Sequence, residues 1–423
     1  MDLKLTLSCI LLSCLFPLII ADDVKVTIKG ATLIARTDDN FVCATLDWWP
    51  SEKCDYNQCP WGEAGLFNLD LNNKILSSAI KAFNPLRLRV GGSLQDQLVY
   101  KVGNSIKKCP AFKKRNNGLF GFTRGCLQMK GWDQLNNLFN QTDALITFGL
   151  NALYGRKESQ VEKGLWVGDW NSQNAWDLMA YTVSKGYNID SYEFGNELCG
   201  SGIVARVEAD QYGKDLIALK NLVKELYPNA NTQPKVLGPG GFFDQKWFAK
   251  FLEVTGPGVV DGLTHHIYNL GADYYSALLW HRLMGKRVLS ATHQGSPHLR
   301  VYSHCTRQKP SITLVLINMA RSTSFNITLF NDENLYLDSV NQDSASNSNF
   351  KGYQPREEYH LTPKDGNIRS DVVLLNGTPL QLTESLDIPA MKPKLVDASS
   401  PLTVAADSIV FVTIRDFHAS TCA

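Results

Sequence analysis

Six times in succession a short apolar, strand-like run is followed by a helix-length amphipathic one. This alternation restricts the fold more than any other feature of the 423-residue chain. Phe41–Trp49 (FVCATLDWW) precedes LNNKILSSAIKAF across a Cys- and Pro-rich loop, and Leu86–Gly92 (LRLRVGG) precedes GWDQLNNLF across a long one. Ala144–Asn151 (ALITFGLN) precedes NAWDLMAYTVSKG, and Ser191–Glu197 (SYEFGNE) precedes YGKDLIALKNLVKELYP. Lys235–Gly240 (KVLGPG) precedes QKWFAKFLEVTG, and Gly262–Tyr268 (GLTHHIY) precedes DYYSALLWHRLMG. Near-continuous apolar strands that each feed a helix indicate a parallel sheet covered on both faces. Several end in Gly, Asn, Asp or Glu, which suits a polar rim at their C-terminal edge. The fold class expected is α/β, of the (β/α)8-barrel type. A closed barrel of that type has eight units and about 250 residues, however. Only Asn269–Ala272 separates Tyr268 from the last helical segment, and no strand of the same style follows. The expectation is therefore an incomplete barrel of six β/α units.

From Arg287 onward the texture changes. RVLSATH, LRVYSHC, SITLVLIN, SFNITLF, REEYHLT, DVVLLNG, LQLTE and SIVFVTIRDF are short strands broken by Gly, Pro, Asn and Asp, the pattern of an antiparallel β-sandwich. Val24–Thr37 (VKVTIKGATLIART) has the same texture and is expected to join that sandwich. The division is then residues 1–21 as signal peptide, 22–38 as N-terminal strands of the sandwich, 39–286 as the barrel-type domain and 287–423 as the sandwich.

The signal peptide is read from Lys4, the nearly uncharged run Leu5–Ile20, and Ala21 ahead of Asp22-Asp23. Cys9 and Cys14 leave with it. Cys43, Cys54, Cys59, Cys109, Cys126, Cys199, Cys305 and Cys422 remain, and eight cysteines allow 105 pairings. Cys305 opens the terminal sandwich and Cys422 is next to the last residue, so these two are expected to pair. Sequons at Asn140, Asn326 and Asn376 agree with export. The secretory pathway is the expected route, ending at the extracellular space and cell wall or in a lysosome or vacuole, with peripheral membrane or cell-wall association allowed. Lys+Arg 42 against Asp+Glu 41 leaves a charge of +1, which supplies no global field for nucleic acid. With 44% hydrophobic and 20% charged residues the chain is not of a disordered class. After the leader the longest strongly apolar run is Ile312–Met319, far short of the ~20 residues that cross a bilayer.

The sharpest motif is Glu193-Phe194-Gly195-Asn196-Glu197, at the end of the fourth strand. An Asn-Glu pair at a barrel rim is an arrangement of retaining glycosidases: the Glu protonates the glycosidic oxygen and the Asn bonds the sugar 2-hydroxyl. The same dipeptide elsewhere starts helices. TDDNFVCATLDWWPSEKCDYNQCPWG, LRLRVGGSLQD, ITFGLNAL, SKGYNIDSYEFGNE, LTHHIYNLG, DYYSALLWHRLMGKRVLS and YHLTPKDG carry a longer likeness. With these stretches the chain resembles the plant heparanase-like glycoside hydrolases, relatives of animal heparanase and of the β-glucuronidase that cleaves baicalin. The resemblance implies a (β/α)8 barrel with a β-sandwich, and retaining hydrolysis of glucuronides or glucuronate-containing glycans without a cofactor. It makes Glu197 the acid/base and Asn196 its neighbour, and it places Asp39, Asn40, Gly92, Ser93, Asn151, His266 and Tyr268 in the sugar pocket. Between THHIYNLG and DYYSALLWHRL the family has a long segment with a Gly-Glu-Ser-Gly-like motif that supplies the nucleophile. Here Gly271-Ala272 runs straight into the helix, so the nucleophile is absent.

No other carboxylate replaces it well. Glu193, four residues before Glu197 on one extended strand, is expected about 13 Å away. Retaining pairs need about 5–5.5 Å and inverting pairs about 6.5–9.5 Å. Glu193 therefore reads as a buried, hydrogen-bonded barrel residue. Asp273 reads as a helix cap, while Asp47 and Asp96 follow strands one and two and reach the rim. His265-His266 is not expected to hold a metal, because adjacent strand residues face opposite ways; His266 alone lines the pocket. Lys107, Lys108, Lys113, Lys114 and Arg115 form either an attractor for an anionic polysaccharide or a solvated loop pinned by Cys109 and Cys126. Trp48, Trp49 and Trp61 either stack on sugar or pack the loop. An eight-strand cylinder without two neighbours leaves unpaired edges at GLTHHIY and FVCATLDWW, which predicts an aggregation-prone product.

Overall fold

A computed structural model describes residues 21–54, 63–104, 106–267, 274–308, 311–332 and 354–423. The chain forms two compact units, Met1–Phe41 with Ala272–Ala423, and Val42–Gly271. The first strand, β1 (Ala21–Arg36), belongs to the former.

The unit Val42–Gly271 is built on one parallel sheet. Its strands are β2 (Cys43–Asp47), β3 (Arg87–Gly91), β4 (Leu145–Leu150), β5 (Ser191–Phe194), β6 (Lys235–Gly241) and β7 (Gly262–His265), hydrogen-bonded in sequence order. Between them run α1 (Lys74–Lys81), α2 (Met129–Thr142), α3 (Gln173–Ser184), α4 (Ala209–Leu226) and α5 (Gln245–Thr255). Alternation along the central strands decides which side meets the helices. Phe148 packs on Trp132 of α2 and Phe194 on Tyr212 of α4. The intervening Arg87, Arg89, Thr147, Ser191 and Glu193 take the other face, where the Thr147 and Ser191 hydroxyls lie 2.7 Å apart. Sharp helix starts help to hold the layer: Asn73 Oδ1 accepts the N–H groups of Ile75 and Leu76, and Asp244 Oδ1 accepts that of Trp247.

The sheet has two edges. Among the described residues β2 pairs only with β3 and β7 only with β6. Cys43, Ala44 and Thr45 of β2 are exposed, and Leu263 of β7 is 51% exposed, whereas β4 and β5 are almost wholly buried. Strands inside a parallel sheet lose such exposure to neighbours on both sides.

The other unit is one large, mainly antiparallel sheet of eleven strands. They are β1, β8 (Met284–His293), β9 (Leu299–Thr306), β10 (Ile312–Asn318), β11 (Ser324–Asn331), β12 (Arg356–Pro363), β13 (Val373–Leu375), β14 (Thr378–Pro379), β15 (Lys394–Val396), β16 (Leu402–Val404) and β17 (Ser408–Ile414). The order is β14-β13-β12-β17-β10-β9-β8-β1-β11-β16, with β15 against β12, and only β1 and β11 run parallel. The sequence pattern predicts a two-sheet sandwich; hydrogen bonding makes a single sheet that rolls over. Asn318 at the end of β10 donates to the carbonyls of Val404 and Ala405 beside β16, five places away in the strand order. Register shifts in β1 between Lys29 and Leu33 and between Leu33 and Ala35 supply the bend. Val26, Ile28, Leu314, Leu316, Phe325, Val404 and Val412 fill the enclosed core.

The sequence division at residue 286 places helix α6 (Tyr274–Leu283) with the barrel-type domain. It belongs to the large-sheet unit, where Leu279 packs with Met284, Val315, Tyr359, Leu361 and Phe411 on the second face of the sheet. It covers a sheet of its own unit rather than standing over a missing barrel strand. Cys305 and Cys422 are disulfide-bonded with Cα atoms 5.3 Å apart, and Cys109 and Cys126 with Cα atoms 5.0 Å apart.

Candidate active site

Strand β5 ends at Phe194, and the next residues turn. Gly195 (φ +75°) and Glu197 (φ +57°) both take left-handed backbone, and a non-glycine residue held there costs energy that only a strongly constrained surrounding maintains. The constraint comes from β6: the Glu197 N–H donates to the Gly240 carbonyl at 2.8 Å. A Cβ on Gly241 would stand 3.0 Å from the Glu197 Cα, so glycine is needed for that approach. The His266 N–H, just past β7, reaches the Gly241 carbonyl at 2.8 Å, and its Nδ1 lies 2.7 Å from Glu197 Oε1. Three successive strand ends thereby orient one carboxyl group.

A second network fixes the neighbours. Arg89 on the inner face of β3 pairs through Nε with Glu193 Oε2 at 2.5 Å, and its Nη2 donates to Asn196 Oδ1 at 2.8 Å. The Asn196 N–H donates to Asp96 Oδ2, and the Ala152 N–H to Asp96 Oδ1, each at 2.8 Å. Because the chain curls at Gly195, extended-strand spacing does not describe Glu193 and Glu197. Glu193, 2% exposed, is held instead in an ion pair with Arg89.

Asp47, at the end of β2, points to the same rim. Trp49 Nε1 donates to its Oδ2 at 3.0 Å, while Oδ1 is buried with no partner among the described residues. Burial raises its pKa, the Glu197 charge adds to the rise, and Arg89, Trp49 and His266 oppose it. The parallel sheet is curled into a half-barrel, and Asp47 lies within the electrostatic reach of Arg89, Glu197 and His266. A Cβ on Gly92 (φ +88°) would fall 2.2 Å from Asp47 Oδ1, so this glycine makes room for the carboxyl group.

The other predicted residues are placed unevenly. Ser93 shares a small cavity with Asp96, Asn196 and Glu197. Asn151 is buried and occupied: its Nδ2 donates to the Leu98 carbonyl and its Oδ1 accepts from Leu153. Asp39 and Asn40 belong to the other unit, where Asp39 pairs with Lys286 at 2.6 Å and with Arg307 at 3.7 Å. The Lys286 hydrogen bond lowers the Asp39 pKa. Tyr268, Asp273, Trp61 and Cys59 lie outside the described residues. Trp48 and Trp49 are 1% and 6% exposed and pack the loop rather than offering open faces. His265 is exposed, and so are Lys107 and Lys108 just before the Cys109–Cys126 loop and Lys113, Lys114 and Arg115 within it. Arg89 and Cys199 were not singled out from sequence. The period-2 Arg in LRLRVGG is the signal that marks Arg89 as inward-facing. Nothing comparable marks Cys199, whose buried thiol donates to the Phe242 carbonyl at 3.1 Å and is pushed up to about 11 by burial.

Asp96 carries a testable consequence. Burial pushes its carboxyl group up to about 7, against its N–H donors and the charges of Arg89 and Arg156. A carboxyl whose pKa is raised by folding binds its proton more tightly in the folded state. Its contribution is complete below the unfolded value of 3.8 and is lost as pH rises towards about 7. Urea midpoints should therefore fall across that interval, with a shallower fall in Asp96→Asn. Stability that rises over the same range contradicts the assignment. Asp47 and Asp215, also raised by burial, act with the same sign.

Comparison with known proteins agrees with this geometry. The family description "Glycosyl hydrolase family 79, N-terminal domain" matches residues 23–308. Heparanase-like protein 2 of Arabidopsis thaliana is 40% identical over 534 aligned residues, covering 98% of each chain. The baicalin-β-D-glucuronidase of Scutellaria baicalensis is 32% identical over 493 residues, covering 90% of each. A family 51 α-L-arabinofuranosidase from Thermotoga petrophila shares the fold at a TM-score of 0.58 and 11% identity, covering 93% of this chain and 100% of its own. With a family match over most of its length and near-full-length plant relatives around a glycosidase fold, the chain belongs to glycosyl hydrolase family 79.

Proposed function

We propose that this protein derives from a retaining β-glucuronidase of the heparanase-like type, acting on glucuronides or glucuronate-containing glycans with Glu197 as acid/base, and that this chain lacks the nucleophile. The observation that carries the reading is Glu197 itself, held at a strand end in left-handed backbone and oriented by His266. Protonation of the leaving oxygen needs a carboxyl group aimed in this way. Asn196 spends its Oδ1 on Arg89, which leaves its amide N–H groups as the donors for a sugar hydroxyl.

Support for a missing segment comes from the open edges β2 and β7, and from an alignment that runs over 534 residues where this chain has 423. The parallel sheet is then the six-strand remainder of a (β/α)8 barrel. Asp47 is a poor substitute nucleophile, because burial disfavours its charged form. The second reading, a catalytically inactive secreted glycan binder, follows from the same absence. Export is supported by Leu5–Ile20 and by the disulfides Cys109–Cys126 and Cys305–Cys422. Of the three sequons, Asn140 is exposed on α2, whereas Asn326 bonds Asp23 and the Asn376 amide is engaged by Glu358 and Lys392 carbonyls.

Azide tests the reading. With 2,4-dinitrophenyl β-glucuronide, the azide nitrogen attacks C1 from the α face as the C1–O bond breaks and the phenolate leaves with the electron pair. The expected product is α-glucuronyl azide, formed only when azide is present. Release of glucuronic acid without azide at the rate of a complete family member contradicts a missing nucleophile.

A further inference from the structure

Outside the rim around Glu197, the helical layer of the first two β/α units holds a groove of about 640 Å³ that continues into a recess of about 260 Å³. One wall is the loop before α1 with Phe67, and the other is the first turns of α2 with Gln128, Lys130, Gly131 and Gln134. Adjacent strand residues face opposite ways, so Trp48 lies on this side while Asp47 faces the rim.

Three features make it more than a packing gap. The Phe67 ring is fixed between Trp48, with centroids 5.2 Å apart, and Phe112 at 5.9 Å, yet it stays 45% exposed. The backbone is shaped for this arrangement: a Cβ on Gly125 would strike the Phe112 ring at 2.4 Å, and Cys109–Cys126 closes the loop that carries Phe112. Second, Trp48 is 1% exposed and its indole N–H has no acceptor among the described residues. A buried donor without an acceptor is costly, and Trp48 lines the recess, where a ligand oxygen brought to the indole would offset that cost. Third, Gln128 and Gln134 are exposed on the wall and present donors and acceptors together.

We propose that this groove is a second, non-catalytic binding site for a neutral oligosaccharide. A pyranose has a C–H face that packs on an aromatic ring, with hydroxyl and ring oxygens around its edge that exchange hydrogen bonds with amides and accept one from an indole. The charge at the groove is nearly balanced, Glu52 and Asp70 against Lys130, so it lacks the field that a uronate chain needs. Placed on the outer side of α2, the site retains a glycan chain independently of events at Glu197.

Gly131 provides a clean block. A Cβ there meets only Leu127 Cδ1, at an ordinary 3.5 Å, so larger side chains grow into the groove without disturbing the helix. Calorimetric titration of the full chain with cellohexaose is the test. Binding should persist in Glu197→Ala and Gly131→Ala, disappear in Gly131→Trp, and weaken by about tenfold in Trp48→Phe, which removes the N–H and retains the ring packing. Equal melting temperatures for Gly131→Ala and Gly131→Trp show that the loss is steric rather than structural. The proposal is overturned by absence of binding to the wild-type chain, by binding that survives Gly131→Trp, by loss in Glu197→Ala, or by tighter binding of oligogalacturonate than of cellohexaose.

Discussion

In the absence of added nucleophile, 4-nitrophenyl β-glucuronide should release nitrophenol no faster with this chain than with its Glu197→Gln variant. Both rates should fall on the order of 10⁴-fold or more below that of a complete family member. Retaining hydrolysis divides one displacement into two, and the first requires a carboxylate to bond C1 on the face opposite the leaving group. Glu197 has a defined position and a hydrogen-bonded orientation through His266. In the proposed mechanism that supplies the proton and nothing else. Glu193 is tied to Arg89 at 2.5 Å, Asp96 accepts two backbone N–H groups, and burial holds the charged form of Asp47 down. Turnover well above the Glu197→Gln control would mean that one of these carboxyl groups, most directly Asp47, attacks C1 after all. A double variant Glu197→Gln, Asp47→Asn then identifies it.

Replacing Cys422 with serine should lower the stability of the large-sheet unit by about 5 kcal/mol in the chain-entropy account of cross-links. The bond Cys305–Cys422 closes a loop with a sequence separation of 117, so cutting it releases a large unfolded ensemble. The native side loses little else. Cys305 and Cys422 sit at the enclosed core beside Phe417 and Ala419, and Arg287 bonds the terminal carbonyls of Thr421 and Ala423. The last turn should therefore stay docked until the unit unfolds. Urea unfolding of Cys422→Ser against wild type measures the difference. A shift under 1 kcal/mol would place the constraint in those side-chain contacts instead.

The two largest expected effects belong to different levels of the fold, and they differ in how readable they are. The proposed loss of the nucleophile is read from local sequence, since THHIYNLG is followed directly by ADYYSALLWHRL. The position of Glu197 follows from the end of an apolar strand. Its left-handed backbone does not, because Gly240 and Gly241, more than forty residues later, impose it. Asp39 and Asn40 show the converse. They stand a few residues before β2, and the family resemblance places them in the sugar pocket; within the unit they belong to, Asp39 pairs with Lys286. A long-range salt bridge leaves no periodicity to find.

Residue pattern alone determined the six parallel strands and the five helices between them, because hydrophobic period and helix or strand propensity act within a dozen residues. It also determined the change of texture near residue 287 and the carboxyl group at the end of the fourth strand. Tertiary structure alone decided that Arg89 holds both Glu193 and Asn196, that Asp47 shares the rim with Glu197 and His266, and that α6 packs on the large sheet. It also decided that eleven strands form one rolled sheet rather than two. Each of these depends on which surfaces meet across a hundred residues or more, and that choice is made by burial and pairing energies summed over the whole fold rather than by any segment of it.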